Sequence, residues 1–267
     1  MLSVHTNYAS LIAQNSVTKS NDMLTTAMER LSTGMRINSA ADDAAGLQIA
    51  TRLNANVVGM QTASRNVSDA TSMLQTADGG LDELTTIALR QKELATQASN
   101  GVNSATDLTA LNDEFQELSA EITRILDNTE YAGNNLFDTL SGTVTFQIGA
   151  DASETLDVTV AEPDTTALGT ADLTTGANAA ISVIDTFIDE VGSARSELGA
   201  NINRLGHTAS NLSNVTQNTQ SAAGRIMDTD FAVESANMTR NQLLVQAGTN
   251  ILSSANQNTN LVMGLLR

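Results

Sequence analysis

Residues 38–100 read NSAADDAAGLQIATRLNANVVGMQTASRNVSDATSMLQTADGGLDELTTIALRQKELATQASN. Every seventh residue from Leu53 is apolar, through Met60, Val67, Leu74, Leu81, Ala88 and Ala95, and the positions three further on carry Ala63, Ala70, Ala77, Leu84 and Ala98. This is an a/d heptad seam, broken at d by Asn56 and Gln91, and it predicts one long helix of coiled-coil type. Asn38-Ser39 offers a cap with Asp42 three residues after Ser39, as a capping box requires, and Asp43 adds negative charge near the helix start. Asn100-Gly101 predicts the end, with glycine as the C′ residue. Gly79-Gly80 costs roughly 2 kcal/mol against two alanines, yet the seam keeps its phase across both. Some sixty residues make a rod of roughly 90 Å, whereas a compact globule of this chain length is roughly 50 Å across. Either the protein is elongated or its seam is covered by other chains, and both point away from a compact enzyme.

The composition agrees with long helices. Of 267 residues, 41% are apolar but only 3% aromatic, with no tryptophan and one proline, so Ala, Leu, Ile and Val carry the packing. The absence of cysteine excludes disulfides, thiol catalysis and thiolate metal sites. No stretch approaches the roughly twenty apolar residues of a membrane span. Before Lys19 there is no basic residue and only Leu11-Ile12-Ala13 as an apolar run, so the N-terminal stretch does not read as a secretory signal peptide. Residues 1–42 and 223–267 each sum to zero charge, so the whole net charge of −17 lies in 43–222. Neutral ends can pack against copies of themselves while an acidic middle faces water, and that middle argues against a nucleic-acid partner.

Along the chain, Val17, Leu24 and Leu31 with Met28 and Met35 form a weaker seam that predicts a helix over roughly 4–33, broken near Gly34. So narrow a stripe needs a partner. Ser104 with Asp107 reads as a capping box, and Leu108, Leu111, Phe115, Leu118, Ile122 and Ile125 predict a second helix returning along the first. Residues 128–142 read as turn-rich. Val144, Phe146 and Ile148, then Leu156, Val158 and Val160, alternate as a β-hairpin over about 143–160, which Pro163 ends. Residues 164–178 read as a patternless connection. A second rod follows, with Ile184, Val191, Leu198, Leu205 and Leu212 in one row and Phe187, Ala194, Val215 and Ala222 in the other. The last segment places Phe231, Met238, Leu244, Ile251, Leu261 and Val262 in an Asn/Gln/Ser/Thr setting like that of the first arm. The expected fold is mainly α: long antiparallel coiled-coil or helical-bundle rods from N- and C-terminal segments, with a small β-hairpin region near the middle. Its parts are an N-terminal arm 1–42, a rod domain 43–222 discontinuous around the linker 164–178, and a C-terminal arm 223–267.

Chemistry is sparse. His5 and His207 are two hundred residues apart in sequence and read as solvated rather than as metal ligands. No metalloprotease, nucleophile-elbow, phosphate-loop or dinucleotide motif occurs. Asp151, Glu154 and Asp157 lack calcium-loop spacing and read as a solvated hairpin end. Met23, Met28, Met35 and Met60 read as core filler. The Asn/Gln-rich arms have helical spacing, which favours ordered assembly over aggregation-prone low complexity. Neither a catalytic role, a cofactor nor a metal is expected. An enzyme reading would need a catalytic insertion between 164 and 178, where fifteen small residues cannot hold one.

Two long motifs then carry a resemblance. ERLSTGMRINSAADDAAGLQIATRL (Glu29 to Leu53) resembles the N-terminal signature of bacterial flagellin, and GRIMDTDFAVESANMTRNQLLVQAGTNILSSANQ (Gly224 to Gln257), with the closing Gly264-Leu265-Leu266-Arg267, resembles its C-terminal counterpart. The likeness covers about 1–140 and 176–267, without the large outer domain many flagellins carry, and the opening MLSVHTNYASL is similar to lateral-type flagellins. The resemblance implies a structural subunit of an extracellular filament used for motility. Its arms would form an inner helical tube and its rods with the hairpin an outer one, with Leu24, Leu31, Leu244 and Ile251 as assembly residues. It also implies export unfolded through the flagellar type III channel, an export chaperone on the C-terminal arm, and filament-cap and hook-junction proteins as partners. In LRQKELA and LNDEFQEL it further implies contacts of a vertebrate Toll-like receptor at Arg90, Leu94 and Glu114, although the chain has Arg90-Gln91-Lys92-Glu93-Leu94 where R-V-R-E-L is usual. A hook–filament junction protein is the second structural reading, and an adhesin or signalling ligand could stand beside the filament role.

Overall fold

The structure is a computed structural model that describes the backbone of residues 6–265 and the side chains of residues 6–257. In chain order, α1 is Tyr8–Thr33, α2 Ala44–Ala98, α3 Ala105–Asn128, α4 Leu136–Ser141, α5 Thr166–Thr170, α6 Leu173–Met227 and α7 Phe231–Leu265. Four short strands, β1 Glu130–Tyr131, β2 Asn134–Asn135, β3 Val144–Gln147 and β4 Thr155–Val158, form two antiparallel pairs. The fold is mainly α with a small β region, as expected. The chain divides into two units: residues 56–217, and residues 1–55 with 218–267.

In residues 56–217 the long seam is real. Both its rows are buried from Met60 to Ala98, and α2 runs unbroken through Gly79 and Gly80. A Cβ on Gly80 would stand 3.1 Å from Cζ of the buried Phe137, so α4 packs where this residue has no side chain. Against α2 lies α6, which buries Ile184, Phe187, Val191, Ala194, Leu198, Leu205 and Leu212 in the same core. Polar pairs align the two helices. Ser99 Oγ donates to Asn178 Oδ1 at 3.0 Å, Lys92 pairs with Asp185, and Arg195 reaches back to Asp78 at 2.9 Å and Asp82 at 2.8 Å. Partners descend α2 as they ascend α6, so the helices are antiparallel.

Near the far end of α6 the expected phase slips. Val215 is exposed while Thr216 is half-buried, and Ala223 rather than Ala222 is buried. An α-helix drifts about 20° per heptad against a 3.5-residue repeat. After Leu212 the buried stripe has therefore moved one residue on.

Ser104 and Asp107 close the expected capping box at the start of α3. Phe115, Ser119, Ile122 and Leu126 are buried. The interruption of the α2 seam at Gln91 is filled from this helix, as the Gln91 Nε2 donates to Phe115 O at 3.2 Å and to Ser119 Oγ at 2.7 Å. The hairpin forms in the register Val144↔Val158 and Phe146↔Leu156, with Leu156, Val158 and Val160 buried. Its turn sits on α2, where a Cβ on Gly59 would meet the Ala150 Cβ at 3.0 Å.

Several local expectations are corrected. Ser39 does not cap α2: Asp42 accepts from the N–H groups of Asn38 at 3.1 Å and Ser39 at 2.9 Å in a turn ahead of the helix, and Asp43 takes the Gly46 N–H at 2.9 Å. The carboxylate that was to complete the box is thus used one turn early. Gly101 does not take a left-handed φ; α2 ends instead with Asn103 Nδ2 donating to Gln97 O at 2.6 Å. Residues 128–142 are more than turns. Ala132 (φ 53°) and Gly133 (φ 83°) make a two-residue hairpin loop between β1 and β2, and α4 buries Leu136, Phe137 and Leu140. The connection 164–178 is also structured, with Leu168 and Leu173 buried and Ala171 O accepting from Gln116 Nε2 at 2.6 Å.

Candidate assembly surface

In the other unit, α1 begins after Asn7, whose side chain accepts the Ser10 N–H at 3.1 Å, and ends at Gly34 with φ 73°. Residues 4 and 5 of the expected helix, and His5 with them, lie outside the described residues. The chain then meets the α6–α7 junction. Arg36 N–H donates to Met227 O at 2.6 Å, Thr229 N–H to Gly34 O at 3.0 Å, and the Arg36 guanidinium to Ile226 O at 3.0 Å. This short backbone bridge, centred on Met35 and Asp228, brings the bases of α1 and α7 together.

From there α1 and α7 pair along a seam the apolar pattern did not reveal. The buried residues of α1 are Ala13, Ser20 and Ala27, seven apart, with Val17, Leu24 and Leu31 half-buried beside them. On α7 the matching rows are Glu234, Asn241, Gly248 and Ala255, with Met238, Val245 and Leu252. Gly248 admits the Val17 side chain, whose Cγ2 would be 2.5 Å from an added Cβ, and Asn7 Nδ2 donates to Ala255 O at 3.0 Å. Small residues at heptad spacing let two helix backbones approach closely. Such residues carry little hydropathy signal, so the larger side chains drew the sequence reading to the flank of the interface.

Pairing in this way leaves much apolar surface uncovered. Leu244 and Ile251, seven apart on one face of α7, are 47% and 60% exposed, and Leu243, Leu11, Ile12, Met23 and Met28 are exposed as well. Of the four residues named as assembly contacts, Leu24 and Leu31 stand in the seam of the pair and Leu244 and Ile251 on the open face. Leu261 and Val262 lie among residues whose side chains are not described.

Within residues 56–217, Arg90 donates through Nε and Nη2 to Glu114 Oε1 at 3.0 and 2.8 Å and also pairs with Glu93 at 3.1 Å. The guanidinium is held further toward its charged form, first by the hydrogen bonds it donates to Glu114 and then by the one it donates to Glu93. Both Arg90 and Glu114 are exposed, but Leu94 is 1% exposed and its side chain belongs to the core. His207 lines a cleft with Ile148, Glu154 and Leu212 at the hairpin. Among the described residues no group of three or more His, Asp or Glu side chains could hold a metal, and no described helix is long and apolar enough to cross a membrane.

Long paired helices and an arm pair with an open apolar face define a structural protein of the helical, self-associating kind. Comparison with known proteins agrees. The bacterial flagellin N-terminal helical region matches residues 4–142, and the bacterial flagellin C-terminal helical region matches residues 181–266. The flagellin of Halalkalibacterium halodurans is 45% identical over 247 residues, covering 90% of this chain and 91% of that one. That of Bacillus subtilis is 36% identical, with 99% of each chain covered. The crystal structure of Bacillus cereus flagellin covers 55% of this chain and 88% of its own at 35% identity, with a TM-score of 0.51. The chain belongs to the bacterial flagellin family. It is a structural subunit that polymerises into the extracellular flagellar filament for motility, and not an enzyme. At 267 residues it is a short form: flagellin A of Vibrio cholerae, 32% identical, aligns over 377 positions with all of both chains covered.

Proposed function

We propose that the filament is built through the arms, residues 1–42 and 223–267, as an inner tube, with 43–222 forming the outer layer. The observation that carries this reading is the open apolar face of the arm pair, with Leu244 and Ile251 exposed on α7 along the edge of the rows already used by α1. Surface of this kind is covered by a partner, and in a homopolymer the partner is another copy. The zero net charge of both arms lets copies approach, while the acidic middle stays in water. Leu24 and Leu31 serve assembly indirectly, by completing the arm pair.

The same reading extends to the supporting partners. The chain leaves the cell unfolded through the flagellar type III route, a chaperone holds the C-terminal arm beforehand, and filament-cap and hook-junction proteins receive it. A vertebrate Toll-like receptor would meet Arg90 and Glu114 directly and sense Leu94 through the position of α2. Binding of the receptor ectodomain to Arg90→Ala against the unmodified chain decides that part.

The assembly reading is tested by sedimentation of polymer from Leu244→Asp and Ile251→Asp. Each places an unpaired charge in a packed contact, so each is expected to abolish pelleting while leaving the helical signal of the soluble chain intact. Filaments of normal length from either variant would overturn it.

A further inference from the structure

We propose that Arg30 and Glu234 are positioning residues that set the register of α1 against α7, and with it the alignment of the face that meets the next subunit. The inference rests on the assembly reading above and adds to it a determinant inside the monomer. The α1–α7 seam is nearly degenerate: Ala13, Ser20 and Ala27 repeat every seven residues on one side, and Asn241, Gly248 and Ala255 on the other. A shift of one heptad moves Val17 from Gly248 to Asn241 or Ala255, so along the seam itself that one close contact resists it. The bridge between Gly34–Arg36 and Met227–Thr229 is mainly backbone to backbone and holds the bases of the two helices together, and the Arg30–Glu234 pair stands within the helices just beyond it.

Glu234 does carry that information. Among the described residues of α7 it is one of two buried polar side chains, itself 10% exposed, and its ion-pair partner is Arg30 of α1 at 3.9 Å. Sliding α7 by one heptad would bring Glu234 either to the level of Met23, beside the carboxylate of Asp22, or past the end of α1 at Gly34. Either move takes the carboxylate away from Arg30, and at the level of Met23 it is left against Asp22; breaking a buried pair is far more costly than the pair is stabilising. The pair therefore acts by rejecting wrong registers, as polar residues at coiled-coil core positions do. Arg30 Nε, buried and without a hydrogen-bond partner, fits a charge kept for discrimination rather than for optimal bonding.

The test uses the full chain, which has no cysteine, carrying Asn7→Cys and Ala255→Cys as a register probe; those two positions face each other in the described register. Arg30→Glu and Glu234→Arg are introduced singly and together. Each single reversal is expected to lower the yield of the intrachain disulfide and to raise the critical concentration for polymerisation by about tenfold or more, and the double reversal to restore both. Rescue by the exchanged charges shows that the two residues act as a pair, and unchanged helical content in the single variants separates a loss of register from a loss of stability. Unchanged cross-linking in the single variants, or a double variant no better than the singles, overturns the assignment. Leu244→Asp on the same probe background separates the two readings: intact cross-linking without polymer supports both, and intact cross-linking with normal polymer overturns the assembly face while leaving the register pair standing.

Discussion

Gly80 faces Phe137 so closely that a Cβ would lie 3.1 Å from the ring, while at its neighbour Gly79 a Cβ would meet nothing within 4 Å. The two glycines thus have different reasons to be in one helix. Gly79→Ala is expected to raise stability by about 1 kcal/mol, the ordinary helix-propensity gain. Gly80→Ala makes the same gain but pushes a buried ring, and overpacking costs roughly 1–3 kcal/mol, so it should melt at or below the parent. Thermal unfolding of the two variants side by side checks this; equal stabilisation by both would refute the packing account.

Gln91 is fully buried, with both Nε2 bonds directed to α3 and Oε1 without a partner. Ser119 Oγ also donates to Phe115 O at 3.0 Å, so removal of the amide leaves neither α3 group stranded. Gln91→Met should therefore be within about 1 kcal/mol of the parent or more stable. Gln91→Ala opens a cavity and should cost about 2–3 kcal/mol. Denaturant midpoints of the two variants distinguish the polar from the packing contribution.

The carboxylates predict a dependence on acid. Asp42 is held below its usual range by the backbone N–H groups of Ser39 and Asn38, and Asp107 by the hydroxyl and then the N–H of Ser104. Thr166 and Thr174 do the same for Asp164 and Asp172. A lowered folded pKa contributes stability above the ordinary value of 3.8 that is lost as the pH falls through the folded value. Glu162 runs the other way: burial first, then the charges of Asp138 and Asp127, raise it. Its unfavourable charge is relieved when acid protonates it. Ser104→Ala should lower the melting temperature near neutral pH and flatten its fall on acidification. Glu162→Gln should raise it modestly near neutral pH and change nothing once the parent residue is protonated. Melting curves across the carboxylate range read both.

Val17 packs on Gly248 so closely that an added Cβ would lie 2.5 Å from its Cγ2. Valine has little χ1 freedom, so Gly248→Ala should weaken arm pairing and reduce polymer yield despite its better helix propensity. Val17→Ala in the same chain should recover much of the loss. Failure of that rescue in a sedimentation assay would show that close approach is not what Gly248 provides.

How far these features were legible in advance depends on how each residue acts. The α2 seam from Met60 to Ala98, the α6 row from Ile184 to Leu212, the Ser104–Asp107 box, the Gly34 stop and the Val144–Val158 hairpin were readable because each is a local pattern of hydropathy or capping chemistry. The short α4 and the burial of Leu168 in α5 were not, since five or six residues hold no period and owe their order to the helices they lie on. That Asp43 rather than Ser39 caps α2 was not legible, because Asp42 and Asp43 are adjacent carboxylates with the same chemistry and only the fold decides which one takes a helix N–H. Leu94 looked like a surface contact beside Arg90, yet it turns inward while Arg90 reaches Glu114.

By itself the amino-acid order determined a mainly helical flagellin with neutral arms and an acidic middle, because heptad periodicity, charge distribution and two long terminal motifs are properties of the chain alone. Tertiary structure decided the pairing of Ala13, Ser20 and Ala27 with the Asn241–Gly248–Ala255 row, the inward turn of Leu94, and which leucines of α7 remain open. Those depend on how closely two backbones approach and on which face a neighbour has already taken, quantities that exist only once distant segments meet.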